Sequence, residues 1–149
     1  MSSDITTPEP CQIDFYVLKQ PSAKASMAAC DLALTMWERN QRVFVASESE
    51  RACRQLDELM WQYPEGRFLP HALADQADAG KAMVVIGALS ALNTADVVIN
   101  LCPEAIPQPE RFSRILEIVP PADEERMTSR VKYRAYQELG LVPRTQEIN

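Results

Sequence analysis

Residues 42–62 read RVFVASESERACRQLDELMWQ, and this stretch decides the fold class. Arg42-Val43-Phe44-Val45-Ala46 is a continuous apolar run rich in β-branched and aromatic residues, the pattern of a strand buried on both faces. Ser47 and Ser49 follow as candidate N-caps, with acids in the next helical turn. The helix predicted over 49–62 places Ala52, Leu56, Leu59 and Met60 on one face, continued by Tyr63. A doubly buried strand leading at once into an amphipathic helix is the first half of a βαβ unit. It implies parallel strands with helices packed on the sheet.

The alternation continues outward. Ile13-Asp14-Phe15-Tyr16-Val17-Leu18 reads as a buried strand closed by Pro21, and residues 24–39 as a helix with Met27, Cys30, Leu34 and Trp37 in one stripe. After 62, Pro64-Glu65-Gly66 breaks the chain, and Phe68 to Leu73 is extended around Pro70. Residues 74–81 read as a polar loop. Met83–Ile86, Asp96–Leu101 and Arg114–Val119 are further strands, the last two separated by a segment holding Pro103, Pro107 and Pro109. Residues 122–138 form the last helix, with Asp123, Glu124 and Glu125 in its first turn and Gly140 past its end. The expectation is one α/β domain over 1–149, a mostly parallel sheet of about five strands flanked by helices. Residues 1–11 read as a mobile arm and 141–149 as a short polar tail.

Composition narrows the function. The chain has 149 residues, 15 Lys and Arg against 21 Asp and Glu, and a net charge of −6. That balance excludes a protein that coats nucleic acid through a broad positive field, and makes direct DNA binding a weak alternative. No apolar run reaches the roughly 18 residues of a membrane span. MSSDITTPEP lacks the features of a signal peptide, so the cytoplasm is the expected compartment, with Cys11, Cys30, Cys53 and Cys102 reduced. No CxxC is present and His71 is the lone histidine, which argues against a zinc site. Cys30 and Cys53 fall in helical patterns and read as small buried apolar residues. The glycines stand at 66, 80, 87 and 140, too scattered for a phosphate cradle, and no GxSxG elbow occurs.

Three groups could carry chemistry. His71 could act as a base with Asp75 or Asp78, the core of an alternative in which the chain is a small cytoplasmic α/β enzyme. Glu124-Glu125 reads as a helix start rather than an acid/base pair. In the last helix Arg126, Arg130 and Arg134 repeat every four residues and form one row, with Tyr133 flanking Arg130 and Val119 just ahead of the helix. Met127, Val131 and Ala135 make the adjacent row, which the pattern predicts to be buried. Guanidinium groups beside Tyr and Val suit a peptide with both acidic and apolar groups; a solvated charged helix face is the competing reading. Trp61, Tyr63 and Phe68 cluster around the 64–66 break, either capping the core or forming a docking patch.

Several segments together resemble the chi subunit of bacterial DNA polymerase III: Phe15-Tyr16-Val17-Leu18, Arg42-Val43-Phe44-Val45, Leu56-Asp57-Glu58-Leu59-Met60-Trp61, Phe68-Leu69-Pro70-His71, Asp96-Val97-Val98-Ile99-Asn100-Leu101 and Tyr133-Arg134-Ala135-Tyr136. The resemblance spans about residues 13 to 140. It rests on order and spacing, above all the LDE-x-x-W…F-x-P-H block. It implies a Rossmann-like fold without a phosphate loop and a non-catalytic accessory subunit of the clamp-loader complex, with no cofactor. It also implies two partners: the acidic, Phe-ending C-terminal tail of single-stranded DNA-binding protein, and the psi subunit. By position the tail site maps onto Val119, Arg126, Arg130, Tyr133 and Arg134, and the psi site onto Trp61 and Phe68. The arm before Ile13 and the proline-rich 103–109 segment depart from the pattern without touching these residues.

Overall fold

Every residue of the strand Val43–Ala46 is buried, with Val43 and Val45 in one hydrophobic cluster and Phe44 and Ala46 in another. This strand therefore lies inside a sheet covered on both sides, as its continuous apolar run requires. The computed structural model describes residues 10–63, 66–76 and 81–148. In chain order the elements are β1 (Gln12–Leu18), α1 (Ala25–Glu38), β2 (Val43–Ala46), α2 (Glu50–Gln62), β3 (Ala72–Leu73), β4 (Val84–Gly87), β5 (Val97–Asn100), β6 (Arg114–Val119), α3 (Asp123–Glu138) and β7 (Arg144–Ile148). The sheet runs β3-β4-β2-β5-β6-β1-β7 with every pairing parallel. The α/β class holds, but the sheet has seven strands rather than about five.

The two extra strands are the sheet edges, and each has a physical reason. β3 is two residues long and starts just after Pro70, so little apolar pattern announces it. β7 is the segment read as a polar tail. Its residues RTQEI are largely exposed, so no side-chain alternation marks it. It forms because β1 has a second edge of backbone donors and acceptors, which Arg144 to Ile148 satisfy in register with Asp14 to Leu18. Gly140, at φ +85°, ends α3 in the left-handed conformation and turns the chain toward that edge, with Leu141 N–H donating back to the Tyr136 carbonyl. The arm reading for residues 1–11 falls mostly on 1–9, outside the described residues; Cys11 is buried.

Helices α1 and α2 cover one face. There Val43, Val45, Val84, Ile86, Val97, Ile99, Leu116 and Ile118 meet Cys30, Leu34, Leu56 and Met60. The α1 stripe is rotated from its predicted position. Ala29, Cys30, Ala33, Leu34 and Met36 are buried while Met27 reaches solvent, because small residues at 29 and 33 let the helix sit close on the sheet. Ser49 caps α2 as expected, its Oγ accepting from the Ala52 N–H at 3.0 Å.

The opposite face carries α3 and the segments between β4 and β6. Ile13, Phe15, Val98, Ile115 and Val119 point to this side with Ile106, Phe112 and Tyr136. Here the expected burial of α3 is wrong. Met127 and Val131 are 64% and 69% exposed, and the buried residues of the helix are Lys132 and Tyr136. The cause lies in the partner strand. β6 presents Glu117 to α3, and a buried carboxylate draws polar partners rather than apolar ones.

Candidate functional site

Because α3 returns antiparallel to the strands, its first turns lie over the carboxyl ends of β1 and β6. Between helix and sheet runs a cleft of about 390 Å³. Val119, Arg126, Arg130, Tyr133 and Arg134, the five residues singled out in the sequence, all line it. The other side is formed by Phe15 and Val17 of β1 and Thr145 of β7, with Ser129 and Gln137 from the helix. Phe15 and Val17 were missed as site residues. Their signal is their parity in β1, which puts them on the same sheet face as Val119, with Val17 paired to Val119 across the ladder. Thr145 was out of reach while β7 was read as a tail.

The apolar wall is fixed. The Tyr133 ring lies 5.2 Å from that of Phe15, and its hydroxyl donates to the Pro143 carbonyl at 2.9 Å. The charged wall is unmatched. No carboxylate lines the cleft, and among the described residues Arg126, Arg130 and Arg134 take part in no ion pair. Arg130 and Arg134 are exposed, whereas Arg126 is half-buried. Its Nε is shielded from solvent and has no hydrogen-bond partner. Three guanidinium groups bordering an apolar slot can hold an acidic ligand that also carries an apolar group.

Beneath this cleft lies a buried polar network. Glu117 Oε1 accepts from Lys132 Nζ at 2.8 Å, while its Oε2 accepts from Tyr136 Oη at 2.6 Å and Asn100 Nδ2 at 2.9 Å. Tyr136 Oη in turn accepts from the Ile106 N–H, and Lys132 also donates to the Cys102 carbonyl. Burial, then the neighbouring Glu117, raises the Tyr136 phenol far above its ordinary range. Lys132 and Tyr136 thereby fix the rotation of α3, which leaves the arginine row at the cleft.

A second feature lies at the far end of the sheet. Trp61 and Phe68 are 57% and 65% exposed, with ring centroids 5.9 Å apart. Tyr63 does not join them; it packs on the α1/α2 core and donates to Asp31 Oδ2 at 3.0 Å. Trp61 rests on His71, centroid to centroid 4.5 Å. The His71 side chain is fully buried. Its Nδ1 lies 2.7 Å from the Leu69 carbonyl and its Nε2 3.1 Å from both the Asp57 carbonyl and Asp57 Oδ1. The partner expected for it is absent: Asp75 faces Arg54 at 3.9 Å instead, and Asp78 lies outside the described residues. With both ring nitrogens engaged and no exposure, His71 ties α2 to the 69–71 segment and offers no base to a substrate.

A further cleft, about 280 Å³, sits beside Cys53, Leu73, Ile86 and Gly87. Burial raises the Cys53 thiol, so it is no activated nucleophile. No helix among the described residues is long and apolar enough to cross a membrane.

Residues 11–144 match the family model described as DNA polymerase III chi subunit, HolC. The DNA polymerase III subunit chi of Pseudomonas aeruginosa is 32% identical, covering 87% of this chain and 91% of the relative. That of Escherichia coli K12 is 29% identical, covering 85% and 91%. Among solved structures, Dbp5 of S. cerevisiae bound to Nup159, Gle1, IP6 and ADP superposes with a TM-score of 0.68 at 9% identity. That match covers 93% of this chain but only 42% of the other, and it speaks to the fold alone.

Proposed function

Because this chain belongs to the DNA polymerase III chi subunit family, a set of non-catalytic accessory subunits, we propose that it tethers the replicase to DNA covered by single-stranded DNA-binding protein. In this reading the acidic, Phe-ending C-terminal tail of that protein enters the α3 cleft. Its carboxylates lie along the arginine row, and its terminal ring sits against Val119 and Tyr133. The psi subunit docks on Trp61 and Phe68 and connects the chain to the clamp loader. The setting is cytoplasmic, and nucleic acid is reached only through the partner.

The observation that carries the reading is the unmatched row of Arg126, Arg130 and Arg134 beside an apolar slot. A net charge of −6 disfavours a bare DNA ligand, yet this one concave strip is positive. Extended peptides with acidic side chains and a free C-terminus fit such a strip. The direct test is a titration of a labelled acidic, Phe-terminated peptide against the wild type and Arg130→Ala. The wild type should bind, and the variant should bind about tenfold or more weakly, the scale of one charge-assisted contact. Equal affinity would remove Arg130 from the site.

A further inference from the structure

Met127, Val131, Ala135 and Leu139 stand four residues apart and form one continuous ridge along α3 and its C-cap, about 18 Å long at about 1.5 Å per residue. Met127, Val131 and Leu139 are 64%, 69% and 63% exposed, and Ala135 is half-buried. Scattered apolar side chains on a surface need no explanation, but an aligned row does. Seven large apolar side chains are exposed among the described residues, and three of them share this ridge. The fold does not use it, since Lys132 and Tyr136 anchor α3 to the sheet. Helix propensity does not account for it either, because β-branched Val131 is a weak helix former. The ridge also lies outside the α3 cleft, none of whose lining residues belongs to it.

We infer that this ridge docks an amphipathic helix of a partner protein, its apolar stripe lying on Met127 and Val131 and its acidic flank facing Arg130 and Arg134. Shape gives the first reason. An extended peptide suits a concave strip, whereas a convex row of side chains four apart fits the grooves between such rows on another helix. Charge gives the second. The neighbouring row on one side holds exposed Arg130 and Arg134, neither of which takes part in an ion pair among the described residues. The other side offers Glu124 and half-buried Thr128. A partner helix therefore needs acids along one edge of its apolar stripe. A second copy of this chain is a poor occupant. Two-fold antiparallel packing of α3 on itself brings like flanks together and sets arginine against arginine. The inference does not depend on what the cleft binds.

The test titrates the full chain with three synthetic, helix-stabilised peptides of equal length. One carries leucines at i, i+4 and i+7 with glutamates along one flank; the second has lysines in place of the glutamates; the third is a scrambled order of the first. The acidic helix should bind the wild type, and the lysine and scrambled peptides should bind about tenfold or more weakly. Val131→Ser should weaken the acidic helix about tenfold, the scale of one buried valine. Because Val131 is exposed, the same variant should melt as the wild type does. It should also keep wild-type affinity for an acidic, Phe-terminated tail peptide, which separates the ridge from the cleft. The assignment is overturned if the acidic helix does not bind, if the scrambled peptide binds as well, or if Val131→Ser and Met127→Ser both leave its affinity unchanged. Two further results overturn it in favour of another occupant. One is a dimer in sedimentation velocity that Val131→Ser dissociates, which assigns the ridge to a second copy. The other is binding to phosphatidylserine vesicles that Val131→Ser abolishes, which assigns it to a membrane surface.

Discussion

Lys132 Nζ lies 2.8 Å from Glu117 Oε1, and both side chains are buried between α3 and the sheet. A buried ion pair adds little net stability, but removing one partner leaves an uncompensated charge at a cost of about 3–5 kcal/mol. Lys132→Met should therefore lower the free energy of unfolding in urea by that amount. Glu117→Gln added to Lys132→Met removes the stranded charge while keeping an acceptor for Tyr136 and Asn100, and should recover more than half of the loss. A double variant no more stable than Lys132→Met would mean that the pair does not carry the energetics assigned to it.

That pair also marks where the sequence could and could not be read. The arginine row was legible because four-residue spacing fixes which side chains share a helix face, whatever the helix packs on. The buried face was not legible. Met127 and Val131 look like the inward side by hydropathy, yet Lys132 and Tyr136 are inside because Glu117 waits for them on β6. A polar contact that is 15 residues distant leaves no periodic signal. β7 was hidden for a related reason: its stability comes from backbone pairing with β1, which side chains such as Gln146 do not announce. The strands with continuous apolar runs, β2 and β6 above all, were placed to within a residue.

The buried thiols predict alkaline sensitivity. Burial, the main cause, pushes the Cys11 thiol up to about 11 and those of Cys30 and Cys102 up to about 12. In the unfolded chain they ionise near their ordinary value of 9.0. From about pH 9 upward the unfolded state holds fewer protons than the folded one, so stability falls as pH rises. Below about pH 8 the thiols are protonated in both states and add no slope. Tyr136 acts in the same direction. Urea midpoints at pH 7.5, 9 and 10.5 should decline over the upper interval, and Cys30→Ala should flatten the decline. Rapid labelling of all four thiols in the native protein at pH 8 would contradict the burial on which this rests.

His71 is a structural residue, and its replacement should be felt as lost stability. His71→Ala strands the Leu69 carbonyl and the Asp57 carboxylate and opens space under Trp61. A loss of about 2–4 kcal/mol follows from unsatisfied polar atoms and an unfilled cavity. In a Trp37→Phe background the emission of Trp61, then the sole tryptophan, should shift. A variant with unchanged stability and unchanged emission would reopen a chemical role for the imidazole.

Trp61 and Phe68 should matter to a partner more than to the fold. Phe68→Ala removes a side chain that is 65% exposed and should change stability by less than about 0.5 kcal/mol. In a pull-down with the psi subunit the same variant should lose capture, since clustered exposed aromatics are favoured anchors. Tail-peptide affinity should stay at the wild-type value, because the α3 cleft shares no lining residue with this patch. Parallel loss of both activities would indicate misfolding rather than a separate surface.

If the α3 cleft is the proposed tail site, salt should divide it into two parts. Arg130 and Arg134 are exposed, so their attraction for carboxylates is screened with a Debye length of about 10 Å at 0.1 M and about 3 Å at 1 M. Apolar contacts of a peptide seated against Val119, Val17 and Tyr133, as in the proposed function, would not be screened in this way. Affinity for a free-acid tail peptide should fall several-fold between 50 and 500 mM NaCl and then level off rather than vanish. Arg130→Ala should shallow the dependence, because one screened contact is already gone, and Val119→Ala should lower affinity at every salt concentration with the slope unchanged. Identical salt slopes for wild type and Arg130→Ala would place that guanidinium outside the electrostatic contact with the peptide.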